Sequence, residues 1–171
     1  MEVERTYLEL RDSTRLRPAT PPPGLAVSLQ RCEPCPVPRY RELYAGVGAP
    51  YRWHDRLAWS DAQLHAHLSS ADVAVWVLAV GGVTAGYFEL VCHGDASVEI
   101  AYFGLLPEFV GRGLGKWLLT RAVEHAWALG ATRVWLQTCT LDHPAALTNY
   151  VARGFQPYRR ERYTLPVTET N

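Results

Sequence analysis

The segment Phe109–Leu119, FVGRGLGKWLL, places three glycines on alternate positions directly before a run of residues with helical character. A strand is predicted to end near Leu106, so the glycines fall where a helix should begin. The N-terminus of a helix has unpaired N–H groups and carries roughly half a positive charge, which favours phosphate binding. Glycine lets the backbone approach such an anion closely because it has no Cβ. The segment therefore predicts an anion-binding turn between a strand and a helix.

The spacing of the glycines excludes two common nucleotide-binding loops. No glycine precedes Gly115-Lys116 at the spacing of GxxxxGK[ST], and Trp117 follows the lysine. The pattern GxGxxG is also absent from the segment. The alternative to a phosphate site is a closely packed helix start that binds no ligand.

The remaining sequence predicts an ordered series of strands and helices. The strands come first and the later half alternates strand and helix, which indicates an α+β or mixed α/β fold. Strands are predicted at 6–10, 24–32, in two runs within 73–92, at 97–106, 132–139 and 161–166, and helices at 38–47, 60–70, from the glycine turn to Gly130 and at 144–153. Ser60 with Gln63 forms a capping box for the second of these helices.

The nearly uncharged stretch at 73–92, VAVWVLAVGGVTAGYFELVC, is long enough to suggest a membrane span. It is rich in β-forming residues, and Gly81-Gly82 divides it into two runs. A Gly-Gly step between two such runs is typical of a β-hairpin. We therefore expect two antiparallel strands here and no membrane helix.

The composition points to a small-molecule partner or a local patch on another protein. The chain has 171 residues, with 17 Lys plus Arg and 17 Asp plus Glu, so no net positive field attracts nucleic acid or an anionic membrane. The four cysteines are too few for a disulfide scaffold, and the first residues lack the pattern of a secretory signal. We expect a single domain in the cytoplasm.

Two segments resemble the GNAT N-acetyltransferases. The family's pyrophosphate loop has the pattern Gln or Arg, two residues, Gly, one residue, Gly or Ala, which Gly113 and Gly115 match while Val110 departs from it. A later family motif runs Asn, two residues, Ala, three residues, Tyr, three residues, Gly-Phe. Its counterpart here lies in LDHPAALTNYVARGF, residues 141–155, with Ala146, Tyr150, Gly154 and Phe155 in register and His143 in place of Asn.

The resemblance implies a GNAT-like α+β fold, with a mostly antiparallel twisted sheet of six to seven strands and about four helices. It divides the single domain 1–171 into a variable acceptor-side half, 1–70, and a cofactor-binding core, 72–165. It also implies acetyl-CoA (coenzyme A) as cofactor, and two neighbouring strands splayed apart so that a backbone N–H can meet the oxyanion. The residues implied to bind the cofactor are Leu105, Leu106, Gly111, Arg112, Gly113, Leu114, Gly115, Lys116, His143 and Ala146.

Acetyl transfer from a thioester to an amine needs a base for the ammonium and an acid for the departing thiolate. By resemblance, Glu99 in EIAYFGL is the expected base, with a paired strand carboxylate as the alternative reading. Glu89 is the second candidate, acting through water. Tyr150 holds the position of the family's acid, and the alternative there is a core aromatic.

The acceptor site is expected in YRWHDRLAWSD, residues 51–61, which combines aromatic and acidic residues. Trp53, His54 and Asp55, with Glu89, could hold an organic cation. The alternative is that these rings cap the core or form a homodimer contact. The acceptor is a small-molecule or peptide amine. A module that binds acyl-CoA without transferring the acyl group stays open as the second function.

Three other features carry weaker predictions. The CxxC at Cys32–Cys35 lacks two further ligands for zinc, so no metal is expected. His65 and His67 are predicted to lie on the surface of their helix. The late cluster of Arg153, Arg159, Arg160 and Arg162 is predicted to be a solvated strand face, with contact to the 3′-phosphate of coenzyme A as the alternative.

Overall fold

The computed structural model describes residues 1–166, which form one seven-stranded sheet flanked by four α-helices. The predicted fold class and strand number are confirmed. The strands are β1 (Glu2–Leu10), β2 (Val27–Arg31), β3 (Val73–Val80), β4 (Val83–Cys92), β5 (Ser97–Leu105), β6 (Arg133–Cys139) and β7 (Gln156–Thr164). The helices are α1 (Val37–Gly48), α2 (Asp61–Leu68), α3 (Leu114–Ala128) and α4 (Ala146–Ala152).

The strands lie in the order β2-β3-β4-β5-β6-β1-β7. All neighbours are antiparallel except β5 and β6, which are parallel and are joined through α3. The first strand of the chain therefore lies inside the sheet, between β6 and β7. No local sequence signal predicts this position, because the pairing joins residues from opposite ends of the chain.

Local signals explain where several elements begin and turn. Gly81 and Gly82, between β3 and β4, have φ of 57° and 80°, which a primed hairpin turn requires. The side chain of Ser60 accepts a hydrogen bond from the N–H of Gln63, and Oε1 of the Gln63 side chain accepts one from the N–H of Ser60. The predicted hairpin and capping box are both confirmed. No helix among the described residues is long and apolar enough to span a membrane.

The sheet separates two clusters of buried side chains. The larger cluster lies under α3 and α4 and includes Leu8, Phe88 and Leu118. The smaller one lies under α1 and α2 and includes Tyr40 and Tyr87. Because successive side chains of a strand point to opposite faces, β4 contributes Phe88 to one cluster and Tyr87 to the other. This two-sided burial fixes the sheet between the helices.

Candidate active site

A cavity of ≈ 450 Å³ lies where β5 and β6 separate. The two strands pair only from Ser97↔Arg133 to Glu99↔Trp135, and their later residues diverge. The diverging residues, Ile100–Leu105 on β5 and Leu136–Cys139 on β6, line the cavity. The structure therefore has the splayed strands that the family resemblance implies.

The separated edge of β5 leaves backbone groups without a partner strand. The N–H of Leu106 donates to the carbonyl oxygen of Ala85 on β4 at 2.8 Å, so this N–H is not free for an oxyanion. Since N–H groups alternate in direction along a strand, the N–H of Leu105 points to the other side, toward the diverging β6. Of the two predicted oxyanion positions, Leu105 therefore faces the cavity and Leu106 does not.

The glycine turn forms one end of the cavity. Gly111 and Gly113 have φ of 82° and 79°, in the left-handed region that favours glycine, and Gly113 is the N-cap of α3. No side chain caps the helix at Gly113. Gly111, Gly113, Gly115 and Lys116 all line the cavity. A helix N-terminus with left-handed glycines before it can hold a phosphate group through its backbone N–H groups, so these residues fit the pyrophosphate of coenzyme A.

Seven of the ten predicted cofactor residues line the cavity, and three do not. Leu114 is fully buried in the larger cluster, and the Arg112 guanidinium lies 5.2 Å from the Phe109 ring centroid. His143 lines the cavity and also caps the turn before α4, with Nδ1 accepting from the N–H of Ala145 at 3.1 Å. The lining set is Leu105, Gly111, Gly113, Gly115, Lys116, His143 and Ala146, and the other three are Leu106, Arg112 and Leu114.

Tyr150 lies on α4 and lines the cavity beside the separated strands. Its ring is buried, with its centroid 6.2 Å from that of Phe103 on β5 and 6.3 Å from that of Phe155. Burial, with a smaller contribution from the negative charge of Asp142, raises the pKa of the Tyr150 phenol above its ordinary value. The phenol is therefore protonated at neutral pH, as a proton donor must be. The ring packs in the core and also lines the cavity, so its position is compatible with either predicted role of Tyr150.

Neither predicted base lines the cavity. Glu99 belongs to the last β5 pair before the strands separate, opposite Trp135, and its carboxylate is 3.0 Å from Nε2 of His93. Its side chain is held on the paired part of the sheet, because the separation begins one residue later at Ile100. The surroundings of Glu99 are those of a carboxylate paired on a strand, the alternative that the sequence left open.

Glu89 is fully buried on β4, beneath the acceptor-side helices. Its carboxylate accepts hydrogen bonds from Tyr40 at 2.5 Å and Arg56 at 2.9 Å, and lies 3.0 Å from Nε2 of His67. Burial alone raises the pKa of Glu89, but His67, Arg56 and Tyr40 outweigh it, and the pKa lies below its ordinary value. The prediction that His67 lies on the surface is wrong, because this contact draws it inward.

The acceptor residues predicted at 53–55 do line the cavity. The Trp53 ring packs 5.0 Å from that of Tyr102 on β5, and its Nε1 lies 3.5 Å from Oδ1 of Asp142. Tyr102 donates a hydrogen bond to Oδ2 of Asp55 at 3.3 Å. The aromatic rings both cover the smaller cluster and form a wall of the cavity, so this loop is held against β5.

His54 and Asp55 lie beside each other at the same wall, and their side chains are each 71% exposed. Nε2 of His54 is 3.5 Å from Oδ1 of Asp55, and Nδ1 is 3.2 Å from the carbonyl oxygen of Arg52. When Nδ1 carries the proton and donates to that carbonyl, Nε2 is free to accept one.

Several cavity residues were not predicted from the sequence. Asn149 lies on α4 one residue before Tyr150, and Asp142 accepts from Thr138 Oγ1 at 2.6 Å and from the N–H of Cys139 at 2.9 Å. The motif spacing around Tyr150 is the one signal that could have included Asn149. Arg5 enters the cavity from β1, and its position depends on the strand order, so no sequence signal could have found it.

The CxxC cysteines lie away from this cavity. Cys35 is buried in the smaller cluster with Cys32 packed against that cluster. Burial, and then the neighbouring Cys32 thiol, raises the pKa of Cys35 to about 12, so it stays a thiol at neutral pH. Among residues 1–166, no three His, Cys, Asp or Glu side chains are grouped to hold a metal ion.

The late arginines form ion pairs on the exposed face of β7. Arg159 pairs with Glu161, and Arg162 lies 3.1 Å from a carboxylate oxygen of Glu4. None of the four lines the cavity. The prediction of a solvated strand face describes Arg159, Arg160 and Arg162, which are exposed and lie within ion-pair distance of acidic residues.

Comparison with known proteins identifies the family. Residues 38–155 match the model of the acetyltransferase (GNAT) family. Among solved structures, a GCN5-related N-acetyltransferase from Kribbella flavida aligns with a TM-score of 0.64 at 20% identity, covering 90% of this chain and 54% of that protein. A GCN5-related N-acetyltransferase from Sphaerobacter thermophilus aligns with a TM-score of 0.69 at 14% identity, covering 94% and 51%.

The IAA acetyltransferase from Bacillus cereus aligns with a TM-score of 0.57 at 22% identity, covering 78% of this chain and 79% of that protein. The chain spans only about half the length of the Kribbella and Sphaerobacter proteins. No curated protein sequence matches the chain. Since the family model covers well over half of the chain, the chain belongs to the acetyltransferase (GNAT) family.

Proposed function

We propose that this protein transfers an acetyl group from acetyl-CoA directly to the amine of a small-molecule or peptide acceptor. One observation supports this most strongly: a single cavity joins the glycine turn of α3, the free edge of β5 and the buried Tyr150. The turn offers backbone N–H groups to the pyrophosphate of acetyl-CoA. Acetyl-CoA supplies the thioester, and the protein supplies the groups that surround it.

The chemistry follows from the residues around the cavity. The N–H of Leu105 is positioned to stabilise the negative charge that develops on the carbonyl oxygen during attack. Tyr150 gives its phenolic proton to the departing thiolate. The acceptor ammonium first gives one proton to the base, and the neutral amine then attacks the thioester carbonyl and the C–S bond breaks. The thiolate takes the Tyr150 proton, and the second proton of the nitrogen returns to the Tyr150 phenolate, so one acid and one base complete the transfer.

We assign the base to His54, with Asp55 stabilising the imidazolium that forms. Both residues line the cavity, whereas Glu99 and Glu89 do not. Nε2 of His54 accepts the proton of the acceptor ammonium, and the carboxylate of Asp55, 3.5 Å away, offsets the new charge. Glu99 remains a competing assignment, and Glu99→Gln together with His54→Gln separates the two: the variant that loses turnover at neutral pH, and recovers partly in alkali, identifies the base.

Glu99 and Glu89 both lie outside the cavity, and this placement supports a second candidate function. A cavity without either predicted carboxylate suits a module that binds acyl-CoA without transferring the acyl group. The deciding experiment measures acetyl-CoA binding by calorimetry and coenzyme A release with a panel of amines. Amine-dependent release supports the transferase, whereas binding without release from any amine supports the binding module.

A further inference from the structure

Arg5 extends from β1 to the acceptor side of the cavity. It is paired with Cys139 of β6, and both residues line the cavity. Its strand neighbours Thr6 and Leu8 are buried, and Leu8 packs in the cluster under α3 and α4. Because residues alternate between faces along a strand, Arg5 points to the opposite face, where the Trp53–Asp55 loop also lies.

The guanidinium of Arg5 has unused hydrogen-bonding capacity. An arginine has five N–H donors. Within residues 1–166, Arg5 donates one side-chain hydrogen bond, to the hydroxyl of Tyr163 at 3.4 Å, and its Cζ lies 4.8 Å from the Tyr163 ring centroid. It forms no ion pair in this part of the chain, unlike its neighbours on β7, which pair with acidic residues. Those neighbours are Arg159, Arg160 and Arg162.

Arg5 also stays charged where it lies. Partial burial lowers its pKa, but the contacts with Tyr7 and Tyr163 outweigh this, and the pKa lies above its ordinary value. A partly buried cation that faces a cavity favours an anionic ligand. The carboxylate of Glu161, the β7 residue opposite Arg5, pairs with Arg159 and accepts a hydrogen bond from Tyr7, and Arg5 forms no ion pair within residues 1–166. The fork of guanidinium donors matches the two oxygens of a carboxylate.

The other cations of the cavity are placed differently. Lys116 is exposed in the first turn of α3, at the glycine end. Arg52 is exposed on the loop that carries His54 and Asp55, which are also exposed. Arg5 is therefore the partly buried cation on the β1 side, across the diverging strands from Asp55.

The two sides of the acceptor region thus carry opposite charges. Asp55 on the β5 side suits an ammonium group, and Arg5 on the β1 side suits an anion. Building on the proposed amine acetyltransferase, we propose that the acceptor is a small amino acid, whose amine faces His54 and Asp55 and whose carboxylate is bound by Arg5. Arg5 is then a specificity residue, since it binds the acceptor away from the reacting nitrogen.

The test compares amino acids with their carboxamides, which keep the amine and lose the negative charge. Coenzyme A release is measured for both sets, with rates normalised to the concentration of free amine. A charged hydrogen-bonded contact contributes about 1.5–3 kcal/mol, so Arg5→Gln should lower kcat/KM for the carboxylates by about 10- to 150-fold. The same variant should leave kcat/KM for the carboxamides and the KM for acetyl-CoA unchanged.

Three variants control this measurement. Arg5→Lys keeps the charge without the fork and should retain part of the preference for carboxylates. Arg160→Gln removes the same charge from an exposed position outside the cavity and should leave kcat/KM for both sets of amines unchanged. Arg52→Gln tests the exposed cation of the loop. Equal melting temperatures for these variants and the unmodified protein confirm that each is folded.

A binding arm separates this proposal from the proposed transfer reaction. N-acetylated amino acids and their carboxamides are titrated calorimetrically, which needs no turnover. One outcome supports the Arg5 site and contradicts the proposed transfer reaction. In that outcome no amine is acetylated, yet the N-acetylated carboxylates bind more tightly than their carboxamides and Arg5→Gln removes the difference. Equal binding and turnover of carboxylates and carboxamides overturns the Arg5 proposal, as does a carboxylate preference that Arg52→Gln removes and Arg5→Gln leaves intact.

Discussion

Tyr150 shows how one side chain can serve both the core and the cavity. Its ring is fixed between Phe103 and Phe155, while the residue also lines the space between the separated strands. A packed ring restricts the hydroxyl to one place, which is what a proton donor requires. The proposed role of Tyr150 as proton donor therefore depends on its phenolic oxygen, and removing that atom alone tests the role.

Tyr150→Phe should slow turnover by about 10²- to 10⁴-fold, the usual range for loss of a positioned acid. The KM for acetyl-CoA should change little, because the interaction forms mainly in the transition state. Turnover and melting temperature are measured on the same variant, with Tyr158→Phe, an exposed tyrosine outside the cavity, as the matched control. Full activity with an unaltered melting temperature would remove Tyr150 from the mechanism and make His143 or water the proton source.

Glu89 acts on stability through the side chains that surround it. It is fully buried and contacts Tyr40, Arg56 and His67, and Arg56 also stacks 4.0 Å above the Trp59 ring. Removing one partner of a buried ion pair leaves the other charge uncompensated. Because Arg56 follows Asp55 directly, this network also supports the cavity wall formed by Trp53, His54 and Asp55.

Glu89→Ala should lower the free energy of unfolding at pH 7 by about 3–5 kcal/mol. The folded-state pKa of Glu89 lies below its ordinary value, so its stabilisation is complete above the unfolded pKa of about 4.3 and is lost as pH falls through the folded pKa. The difference between the unmodified protein and the variant should therefore shrink in acid. Urea unfolding at pH 7 and near pH 3 measures this difference in free energy of unfolding, with Glu33→Ala, at an exposed side chain, as control. A difference that is the same at both pH values would contradict the electrostatic role of Glu89.

At the scale of elements, the start of α3 carries the strongest expectation for ligand binding. Gly113→Glu should abolish coenzyme A binding in calorimetry, because it adds bulk and negative charge at the anion site. The left-handed φ of 79° also strains any non-glycine residue, by about 1–2 kcal/mol. Gly82→Glu in the β3–β4 turn is a matched control, since its φ is 80° and its Cβ would meet open space. Unchanged affinity in folded Gly113→Glu would exclude this turn as the pyrophosphate site.

The elements that could be predicted from sequence are those set by local chemistry. Ser60 and Gln63 form their capping box across three residues, and Gly81-Gly82 forms its turn within two. β7 was predicted only over its last part, because its exposed first half, rich in arginine, lacks the alternation of a half-buried strand. The inward position of His67 could not be predicted, because its partner Glu89 lies on a distant strand.

At the scale of the whole molecule, strand order decides which side chains meet. The family resemblance implies that the glycine turn and Tyr150 belong to one site, and both line the same cavity next to the separated strands. It did not predict that Glu99 would stay outside, because that depends on the residue at which β5 and β6 stop pairing. Arg5 entered the site only through the insertion of β1 between β6 and β7. Such contacts join distant parts of the chain, and local patterns do not encode them.

The position of β1 predicts that the first residues of the chain stabilise the whole sheet. Leu8 is fully buried, pairs with Leu136 of β6, and lies on a strand that also bonds β7. Leu8→Ala should lower the free energy of unfolding by about 2–5 kcal/mol, since it removes buried methyl groups from a packed core. Leu57→Ala, at a side chain 58% exposed, should change it by less than about 0.5 kcal/mol.

Urea unfolding followed by far-ultraviolet circular dichroism and by tryptophan fluorescence distinguishes two roles for β1. If β1 holds β6 and β7 in one cooperative sheet, both signals of Leu8→Ala should shift to the same lower midpoint. If β1 were an appended strand, the core around α3 would unfold at its original midpoint and only part of the dichroism signal would be lost earlier. Separate midpoints would therefore contradict the cooperative role. A common midpoint would mean that the wall carrying Arg5 is as stable as the sheet that carries the glycine turn.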